Sequence, residues 1–278
     1  MDRRTFINRA AALGVSAMAA RPVMAMATGS EPPNSRLHGL LISATTNPGQ
    51  GFLEHAVKAL REVYAGCGTV LLLPYASAPQ SRDFYEKRMG DTFARLEIGP
   101  KVESLHHHTG AEASRVLREA EAVFVSGGQT FLLLRELYDL DLVELLRERS
   151  LAGMPYVGSS AGSNIGGPLI GTTNDFPVTD IPTRRSLGLI PLLINPHHPD
   201  EGDPEFKGRR GKILWYQETN PTEEVIGLTN SSMLHLKGSA MTLMGGAAFL
   251  YRRPDVVSLE AGADVAAALG SLQQGAGD

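Results

Sequence analysis

The sequence predicts an α/β fold: a doubly wound, mostly parallel sheet flanked by helices, with a C-terminal run of short strands. Three observations lead to this prediction. Short apolar runs alternate with segments of helical period from Leu37 onward, as in a parallel sheet that is covered on both faces. After residue 224 the apolar runs are separated only by tight turns, which is typical of consecutive strands. Finally, 278 residues with 42% hydrophobic content are enough to bury the core of one such domain.

The predicted elements follow one another in a regular order. Strands are predicted at 39–44, 69–74, 101–105, 122–126 and 155–158, and helices at 51–64, 81–96, 111–120 and 130–150. A long loop rich in Gly, Pro and Thr covers 166–182, and a strand at 189–194, a helix at 207–217 and closing strands within 224–230, 232–238 and 241–251 come after it. Because the carboxyl ends of parallel strands meet at one edge of a sheet, we expect functional residues directly after the strands.

The N-terminus has the pattern of an export signal. Arg3 and Arg4 precede a mildly apolar run at 10–20, and the small residues at 25–27 suit a signal peptidase. The arginine pair favours twin-arginine export, with that export machinery as a transient partner, while a Sec signal or a disordered N-terminus stays open. We therefore expect a periplasmic or secreted protein with a signal peptide at 1–27, a flexible linker at 28–36, a single domain at 37–255 and a C-terminal tail at 256–278.

Charge and cysteine content bound the possible partners and stabilising features. Removing 1–27 takes away four Arg and one Asp and leaves 22 basic against 29 acidic residues, so we expect no nucleic-acid surface. Cys67 is the only cysteine, which excludes an internal disulfide. The three histidines at 106–108 are interpreted as a solvated loop and not as a metal site, because no acidic or cysteine pattern accompanies them. Stability is therefore expected to come from the core.

Ser160 is the candidate nucleophile. It follows the strand predicted at 155–158, with Gly158 two residues before it and Gly162 two residues after it, which matches the G-x-S-x-G nucleophile elbow. Glycines at these positions let the strand and the following helix approach closely while the serine keeps a strained backbone. A structural strand-to-helix turn would show the same spacing, so the motif alone leaves both interpretations open.

Two further strand ends carry residues that complete such a site. Gly127 and Gly128 end the strand predicted at 122–126, and one of their N–H groups is expected to form an oxyanion hole with the N–H of Ala161. A tight turn would explain the two glycines equally well. His197 follows the strand predicted at 189–194, where an imidazole can take the proton of Ser160 near neutral pH.

Four motifs together resemble the peptidase E family, the α-aspartyl dipeptidases among the S51 serine peptidases. They are G-x-S-A-G-x-N at 158–164, T-T-N-D-F-P at 172–177, I-N-P-H at 194–197 and G-G-Q-T-F at 127–131. The resemblance implies a class I glutamine amidotransferase-like fold and hydrolysis of dipeptides with an N-terminal aspartate, without cofactor or metal. It also implies that Ser160 is the nucleophile and His197 the general base.

The resemblance leaves the third catalytic residue and the specificity open. Asp175 of the T-T-N-D stretch is one candidate, and Asn230 is the other, since it stands where the family is described with a Glu. The family carries an Arg directly before T-T-N-D, where this chain has Gly171. The candidate substrate-binding residues are Asn174, Arg209 and Arg210, because a guanidinium suits a carboxylate side chain.

The sequence therefore predicts an exported serine dipeptidase that acts on small peptides with an N-terminal Asp or a related residue. Two alternatives stay open. One is a cyanophycinase-like hydrolase, which uses the same elbow on an aspartyl-arginine polymer. The other is a periplasmic binding protein on a decayed peptidase fold, which the departures at Gly171 and Asn230 would suit.

Overall fold

The structure, a computed structural model that describes residues 36–274, is built on two sheets. Its strands are β1 (His38–Ile42), β2 (Thr69–Leu73), β3 (Lys101–Ser104), β4 (Val123–Val125), β5 (Tyr156–Ser159), β6 (Leu193–His198), β7 (Val225–Thr229), β8 (Met233–Lys237), β9 (Ala240–Met244), β10 (Ala248–Arg252) and β11 (Asp255–Leu259). The larger sheet has the order β3-β2-β4-β5-β1-β8-β9, and the smaller sheet has the order β11-β10-β7-β6. In the larger sheet β1 to β5 pair in parallel, while β8 and β9 pair antiparallel.

Helices cover both faces of the larger sheet. The helices of the described residues are α1 (Val57–Val63), α2 (Arg82–Arg95), α3 (Gly110–Glu119), α4 (Thr130–Asp139), α5 (Val143–Leu151), α6 (Ala161–Asn164), α7 (Phe206–Thr219) and α8 (Val265–Gln274). Of these, α7 packs against the smaller sheet. Successive strand residues point to opposite faces, so β2 places Val70 and Leu72 in the core beneath α1 and α2. Leu71 and Leu73 of the same strand lie in the opposite core, which α3, α4 and α5 close. Each such buried side chain contributes about 1.5–3 kcal/mol.

The predicted fold class is confirmed. The bounds of the predicted elements differ from the observed ones, and two of these differences have a clear cause in the backbone. The helix predicted at 130–150 is interrupted between α4 and α5, where Asp141 has a φ of 55°. A left-handed residue cannot continue a right-handed helix, so the chain turns there. The strand predicted at 189–194 is instead β6, which begins at Leu193 and continues through His198. Pro196 is accommodated because β6 lies at the edge of the smaller sheet, where a missing N–H costs no ladder bond.

The C-terminal segment belongs to the folded domain. The sequence predicts a tail at 256–278, but β11 pairs with β10 along its whole length and α8 follows it. Leu259, Val265 and Leu269 are all part of the main hydrophobic core. The domain therefore extends to residue 274.

The export signal predicted at 1–27 and almost all of the linker predicted at 28–36 lie outside the described residues. Within 36–274, no helix is both long enough and apolar enough to span a bilayer.

Candidate active site

Ser160 sits at a sharp turn between β5 and α6. Its backbone has a φ of 50° and a ψ of −107°, which is strained for a residue with a Cβ. The turn holds because the Ser160 N–H donates to Ile42 O of β1 at 2.9 Å. The side chain is partly exposed at the carboxyl edge of the larger sheet. The sequence therefore places a strained, accessible hydroxyl where the elbow motif predicts one.

The two elbow glycines are required by close backbone contacts. A Cβ on Gly158 would lie 2.4 Å from Gly162 O, and a Cβ on Gly162 would lie 2.2 Å from Val125 O. Real Cβ atoms essentially never come this close to an oxygen. Tyr156 supports the same turn, since its buried hydroxyl donates to Gly162 O at 2.6 Å. The glycines thus let α6 start directly against β4 and β5.

His197 meets Ser160 from the other sheet. Its Nε2 lies 2.8 Å from Ser160 Oγ, which is hydrogen-bond distance for proton transfer. His197 lies within β6 and not after a strand, at an irregularity where the register against β7 shifts. Its φ is 54°, and Ser43 Oγ accepts its backbone N–H at 2.8 Å. This local departure from the strand geometry turns the imidazole toward Ser160.

Asn230, and not Asp175, is the residue in contact with the imidazole. Asn230 follows β7, and its Oδ1 lies 2.8 Å from His197 Nδ1. The Asp175 Oδ2 instead accepts the N–H of Thr130, the first residue of α4, at 2.6 Å. Of the two residues that the sequence left open, the structure brings Asn230 to His197 and places Asp175 at the start of a helix.

The predicted oxyanion-hole residues surround the Ser160 turn. Ala161 is the first residue of α6, so its N–H has no acceptor within that helix. Gly128 has a φ of 137°, and a Cβ there would lie 2.5 Å from Ala76 O, so only glycine fits. The Gly127 N–H is directed at the hydroxyl of Tyr85. Burial raises the Tyr85 pKa, while the positive charge of Arg88 and then the Gly127 N–H act to lower it. Of these three N–H groups, those of Gly128 and Ala161 have no backbone acceptor among the described residues.

A cavity of about 490 Å³ lies between α7 and the loop at 171–174, next to the backbone of His197. Arg209 lines it and donates from Nη1 to Asn195 Oδ1 at 3.0 Å and to His197 O at 3.2 Å. Burial lowers the Arg209 pKa. Among the described residues no carboxylate forms an ion pair with this guanidinium, and Lys212 lines the same cavity. The cavity thus presents two cationic side chains close to His197.

Of the other two predicted substrate-binding residues, one lines the cavity and one does not. Asn174 lines the cavity, and it donates from Nδ2 to Pro196 O at 2.9 Å. Arg210 is exposed and is not among the lining residues. At Gly171, a Cβ would lie 2.1 Å from the Tyr216 hydroxyl, so the tyrosine occupies the space that a longer side chain at this position would need. Tyr216 hydrogen-bonds Glu223, and burial raises its pKa strongly.

Two residues that position the site were missed by the sequence analysis. Ser43 links the sheets, because its Oγ accepts the His197 N–H and donates to Leu228 O at 2.9 Å. Asn195 links two sides of the cavity. Its Nδ2 donates to Thr172 O at 2.6 Å, and its Oδ1 accepts from Arg209. The signal for Ser43 was its place at the carboxyl end of the first predicted strand, where functional residues collect. The signal for Asn195 was weaker, namely its place in the I-N-P-H motif two residues before His197.

Comparison with known proteins gives consistent results. Residues 40–244 match the model of peptidase family S51. A peptidase E of Shewanella amazonensis is 36% identical over 211 residues, which are 75% of this chain and 88% of that protein. A peptidase E of Shewanella denitrificans is 32% identical over 237 residues, which are 84% of this chain and 99% of that protein. A solved peptidase from an acI-B1 Actinobacterium superposes with a TM-score of 0.62 at 18% identity, covering 83% of this chain and 97% of that one, and it supports the fold.

Proposed function

This chain belongs to peptidase family S51 and is a serine peptidase related to peptidase E, and we propose that it cleaves dipeptides through an acyl-enzyme formed on Ser160. The resemblance inferred from the four short motifs is thereby confirmed. The observation that carries the proposal is the 2.8 Å contact between Ser160 Oγ and His197 Nε2 at a strained elbow.

In the proposed reaction, Ser160 Oγ attacks the carbonyl carbon of the first substrate residue while His197 Nε2 takes its proton. The negative oxygen of the tetrahedral intermediate accepts hydrogen bonds from the Gly128 and Ala161 N–H groups, which need no rearrangement to receive it. His197 then gives its proton to the leaving amine as the C–N bond breaks. A water molecule, deprotonated by His197, attacks the acyl carbon, and the proton returns to Ser160 as the acid product leaves.

Asn230 supports the proposed base without adding charge. An amide oxygen at 2.8 Å requires a proton on His197 Nδ1, which leaves the Nε2 lone pair directed at Ser160. This is the tautomer that a general base needs. The amide cannot offset the positive imidazolium that forms during attack, so we expect catalysis below that of a site with a carboxylate in this place.

We propose that the cavity beside His197 binds the carboxylate of an N-terminal Asp. The support is Arg209, a partly buried guanidinium whose hydrogen bonds go to neutral oxygens and which has no ion pair with a described carboxylate. A substrate carboxylate would supply the missing charge partner, and the planar guanidinium can bind it with two donors. Lys212 would add a second positive charge.

Dipeptide hydrolysis tests the proposed reaction. We expect the mature chain to release leucine from Asp-Leu and the Ser160→Ala variant to be slower by about 10⁴–10⁶-fold in kcat. Equal product release by wild type and Ser160→Ala would overturn the proposal and favour the binding-protein alternative. Faster cleavage of β-linked Asp-Arg than of Asp-Leu would instead favour the cyanophycinase-like alternative.

Specificity has a matched pair of variants in adjacent arginines. Arg209→Gln should lower kcat/KM for Asp-Leu by about 10–100-fold relative to Asn-Leu, because an ion pair of the substrate carboxylate with a guanidinium contributes about 1.5–3 kcal/mol. Arg210→Gln should leave this ratio within about twofold, since Arg210 is exposed and outside the cavity. A ratio of Asp-Leu to Asn-Leu that is near one in the wild type would contradict the proposed preference.

Export remains a proposal that rests on the N-terminal pattern. Arg3 and Arg4 with the small residues at 25–27 favour twin-arginine translocation and cleavage after Ala27. In a bacterial host with a functional pathway, the wild type should appear in the periplasmic fraction with a new N-terminus at Thr28. Substitution of both arginines by lysine should retain the precursor in the cytoplasm. Unchanged export of that variant would favour a Sec signal.

A further inference from the structure

Four potential metal ligands converge at the edge of the larger sheet, away from the catalytic residues. Asp83 and Glu86 lie three residues apart in α2, so both face the same side of that helix. His106 and His107 lie on a single 3-10 turn, Leu105–His107, directly after β3. One ligand atom from each of the four side chains lies within 4.8 Å of all the others. Two separate chain segments therefore bring two imidazoles and two carboxylates to one point.

The sequence predicts a solvated loop at 106–108 because no acidic pattern lies nearby in the chain, but in the fold two carboxylates contact these histidines. His106 Nε2 lies 2.8 Å from Asp83 Oδ1, and His107 Nε2 lies 2.7 Å from Glu86 Oε2. The partners are 23 and 21 residues earlier in the chain. They become neighbours only because α2 packs against β3.

His106 is held in place by a residue outside the cluster. Its side chain is only 10% exposed, and Ser104 Oγ lies 2.6 Å from its Nδ1. The contact fixes the ring so that Nε2 points toward the carboxylates. Metal-binding histidines commonly have their second nitrogen fixed in this way. His106 is thus oriented as a ligand by a partner that is not itself a ligand.

The charges around the cluster favour a cation at its centre. The basic neighbours of Asp83 and Glu86 in α2 are engaged elsewhere, since Arg82 pairs with Glu136 at 2.7 Å and Lys87 pairs with Asp91 at 2.6 Å. Among the described residues the two carboxylates have ion-pair partners only in the two histidines. The rings of these histidines are themselves 4.0 Å apart, so protonating both would place like charges side by side. One divalent ion would attract all four groups at once.

We propose that Asp83, Glu86, His106 and His107 bind a divalent transition-metal ion of the Zn²⁺ type. Zn²⁺ accepts imidazole nitrogens and carboxylate oxygens in a tetrahedron with bonds of about 2.0–2.2 Å, which separates the ligand atoms by about 3.3 Å. The paired atoms at 2.7–2.8 Å and the limit of 4.8 Å lie on either side of that separation. Small side-chain rotations therefore suffice to close the site. Two nitrogen ligands make Ca²⁺ or Mg²⁺ a poor match.

An ion at this position would connect the N-terminal half of α2 with the end of β3. Because an ion that binds only the folded chain stabilises it by mass action, its signature is a melting temperature that depends on the metal concentration. This proposed role does not involve the Ser160 hydroxyl. The Ser160→Ala variant should therefore bind the metal as the wild type does.

The test is a titration of the untagged, chelator-treated mature chain with Zn²⁺, and in parallel with Co²⁺. We expect one Zn²⁺ per chain in competition with a chromophoric chelator, and a visible absorption spectrum of tetrahedral Co²⁺. At a hundredfold excess of free Zn²⁺ over Kd the Tm should rise by about 5–10 °C. A chain that retains no stoichiometric ion and shows no Tm shift would overturn the proposal.

The histidine run supplies a matched control. His107→Ala should lower Zn²⁺ affinity at least about tenfold and remove the Co²⁺ spectrum. His108→Ala should change neither, because the His108 ring lies 3.2 Å from Glu112, outside the cluster. Ser104→Ala should weaken binding by about 10–100-fold through the orientation of His106. His107 is 52% exposed, so its variant is expected to fold, and circular dichroism checks this. Equal losses in His107→Ala and His108→Ala would refute the proposed ligand set.

Discussion

Asn230 is the residue at which this site departs most from a serine triad with a carboxylate. It occupies the position of the charged partner, in contact with His197 Nδ1 at 2.8 Å, but carries no charge. In trypsin, replacing the aspartate of the triad by asparagine lowers kcat by roughly 10⁴-fold. A carboxylate at this position would stabilise the imidazolium that forms when Ser160 attacks.

We therefore predict that Asn230→Asp raises kcat/KM for a cleaved dipeptide by about 10–10³-fold, since Asp has the size of Asn and adds the missing charge. Steady-state hydrolysis at pH 7 measures it. Asn230→Ala should be slower than the wild type, because nothing then holds the tautomer of His197.

Asp175→Ala should leave kcat within a few-fold and lower the free energy of unfolding by about 1 kcal/mol, because the Asp175 carboxylate accepts the N–H of Thr130 at the start of α4. A large kcat loss in Asp175→Ala would contradict this assignment.

His198 is buried, whereas its neighbour His197 is exposed. It is 1% exposed, its Nε2 lies 2.7 Å from the Tyr251 hydroxyl and its Nδ1 lies 2.8 Å from Pro199 O. A neutral imidazole satisfies both contacts, with Nδ1–H donating to the carbonyl and Nε2 accepting from the tyrosine. Burial lowers the pKa of His198 from 6.5 to about 4, with Pro199 O acting against it.

This depressed pKa predicts a specific loss of stability in mild acid. Between pH 6.5 and about 4 the unfolded chain binds a proton at His198 that the folded chain excludes, so the free energy of unfolding falls as the pH falls. The contribution reaches up to about 3 kcal/mol at the lower end. Urea unfolding at pH 7, 6 and 5 measures it, and His198→Gln should show a shallower slope. Parallel slopes for both proteins would assign the acid sensitivity to other groups.

At the scale of elements, the position of Ser160 depends on how closely α6 approaches β4. Gly162 makes that approach possible, since a Cβ there would lie 2.2 Å from Val125 O. Such an overlap with backbone cannot be relieved by a side-chain rotation, so the helix itself would have to move. The Ser160 hydroxyl would move with it.

We predict that Gly162→Ala lowers the free energy of unfolding by at least about 3 kcal/mol and slows hydrolysis in the fraction that stays folded. Gly90→Ala is the control, because Gly90 lies within α2 and a Cβ there meets nothing within 4 Å. That variant should be more stable than the wild type by about 0.5–1 kcal/mol through helix propensity. Denaturant unfolding of both variants measures the difference, and similar stabilities would contradict the steric argument.

Elements and motifs whose physics is local could be predicted from the sequence. The elbow is one such case, because the spacing of Gly158, Ser160 and Gly162 indicates it within a single short motif, although the contact of Gly162 with Val125 of β4 is visible only in the fold. Contacts that depend on how the two sheets dock could not be predicted. Asp175 and Asn230 were equally plausible from the chain, and the choice follows from the register shift in β6 that turns His197 toward β7. The acidic partners of His106 and His107 were hidden in the same way, on a helix more than 20 residues earlier.

At the scale of the whole molecule, the C-terminal hairpin and helix complete both the smaller sheet and the main core. β11 is the outer strand of that sheet, and Leu259 at its end packs into the core with Val265 and Leu269. A boundary at residue 255 would remove all three of these side chains. Composition alone did not reveal this, because β11 is short and only its last residue is buried.

We predict that a chain ending at residue 255 melts at least about 10 °C below the full chain or fails to fold, since it exposes core surface. Leu259→Ala gives a graded version and should cost about 2–4 kcal/mol. Ser258→Ala is the matched control, because Ser258 is exposed, and it should stay within about 0.5 kcal/mol of the wild type. Thermal melts measure all three, and a stable chain ending at 255 would show that β11 and α8 are dispensable.

The proposed nucleophile and its base stand on different sheets. Ser160 follows a strand of the seven-stranded sheet, and His197 lies in a strand of the four-stranded sheet. Far-UV circular dichroism counts helices and strands, so it would report both sheets intact even if one slid past the other by an ångström. Reaction of Ser160 with a serine-directed probe would fall at once, because it needs the imidazole in hydrogen-bond reach. Probe labelling therefore reports the relative position of Ser160 and His197, which circular dichroism does not.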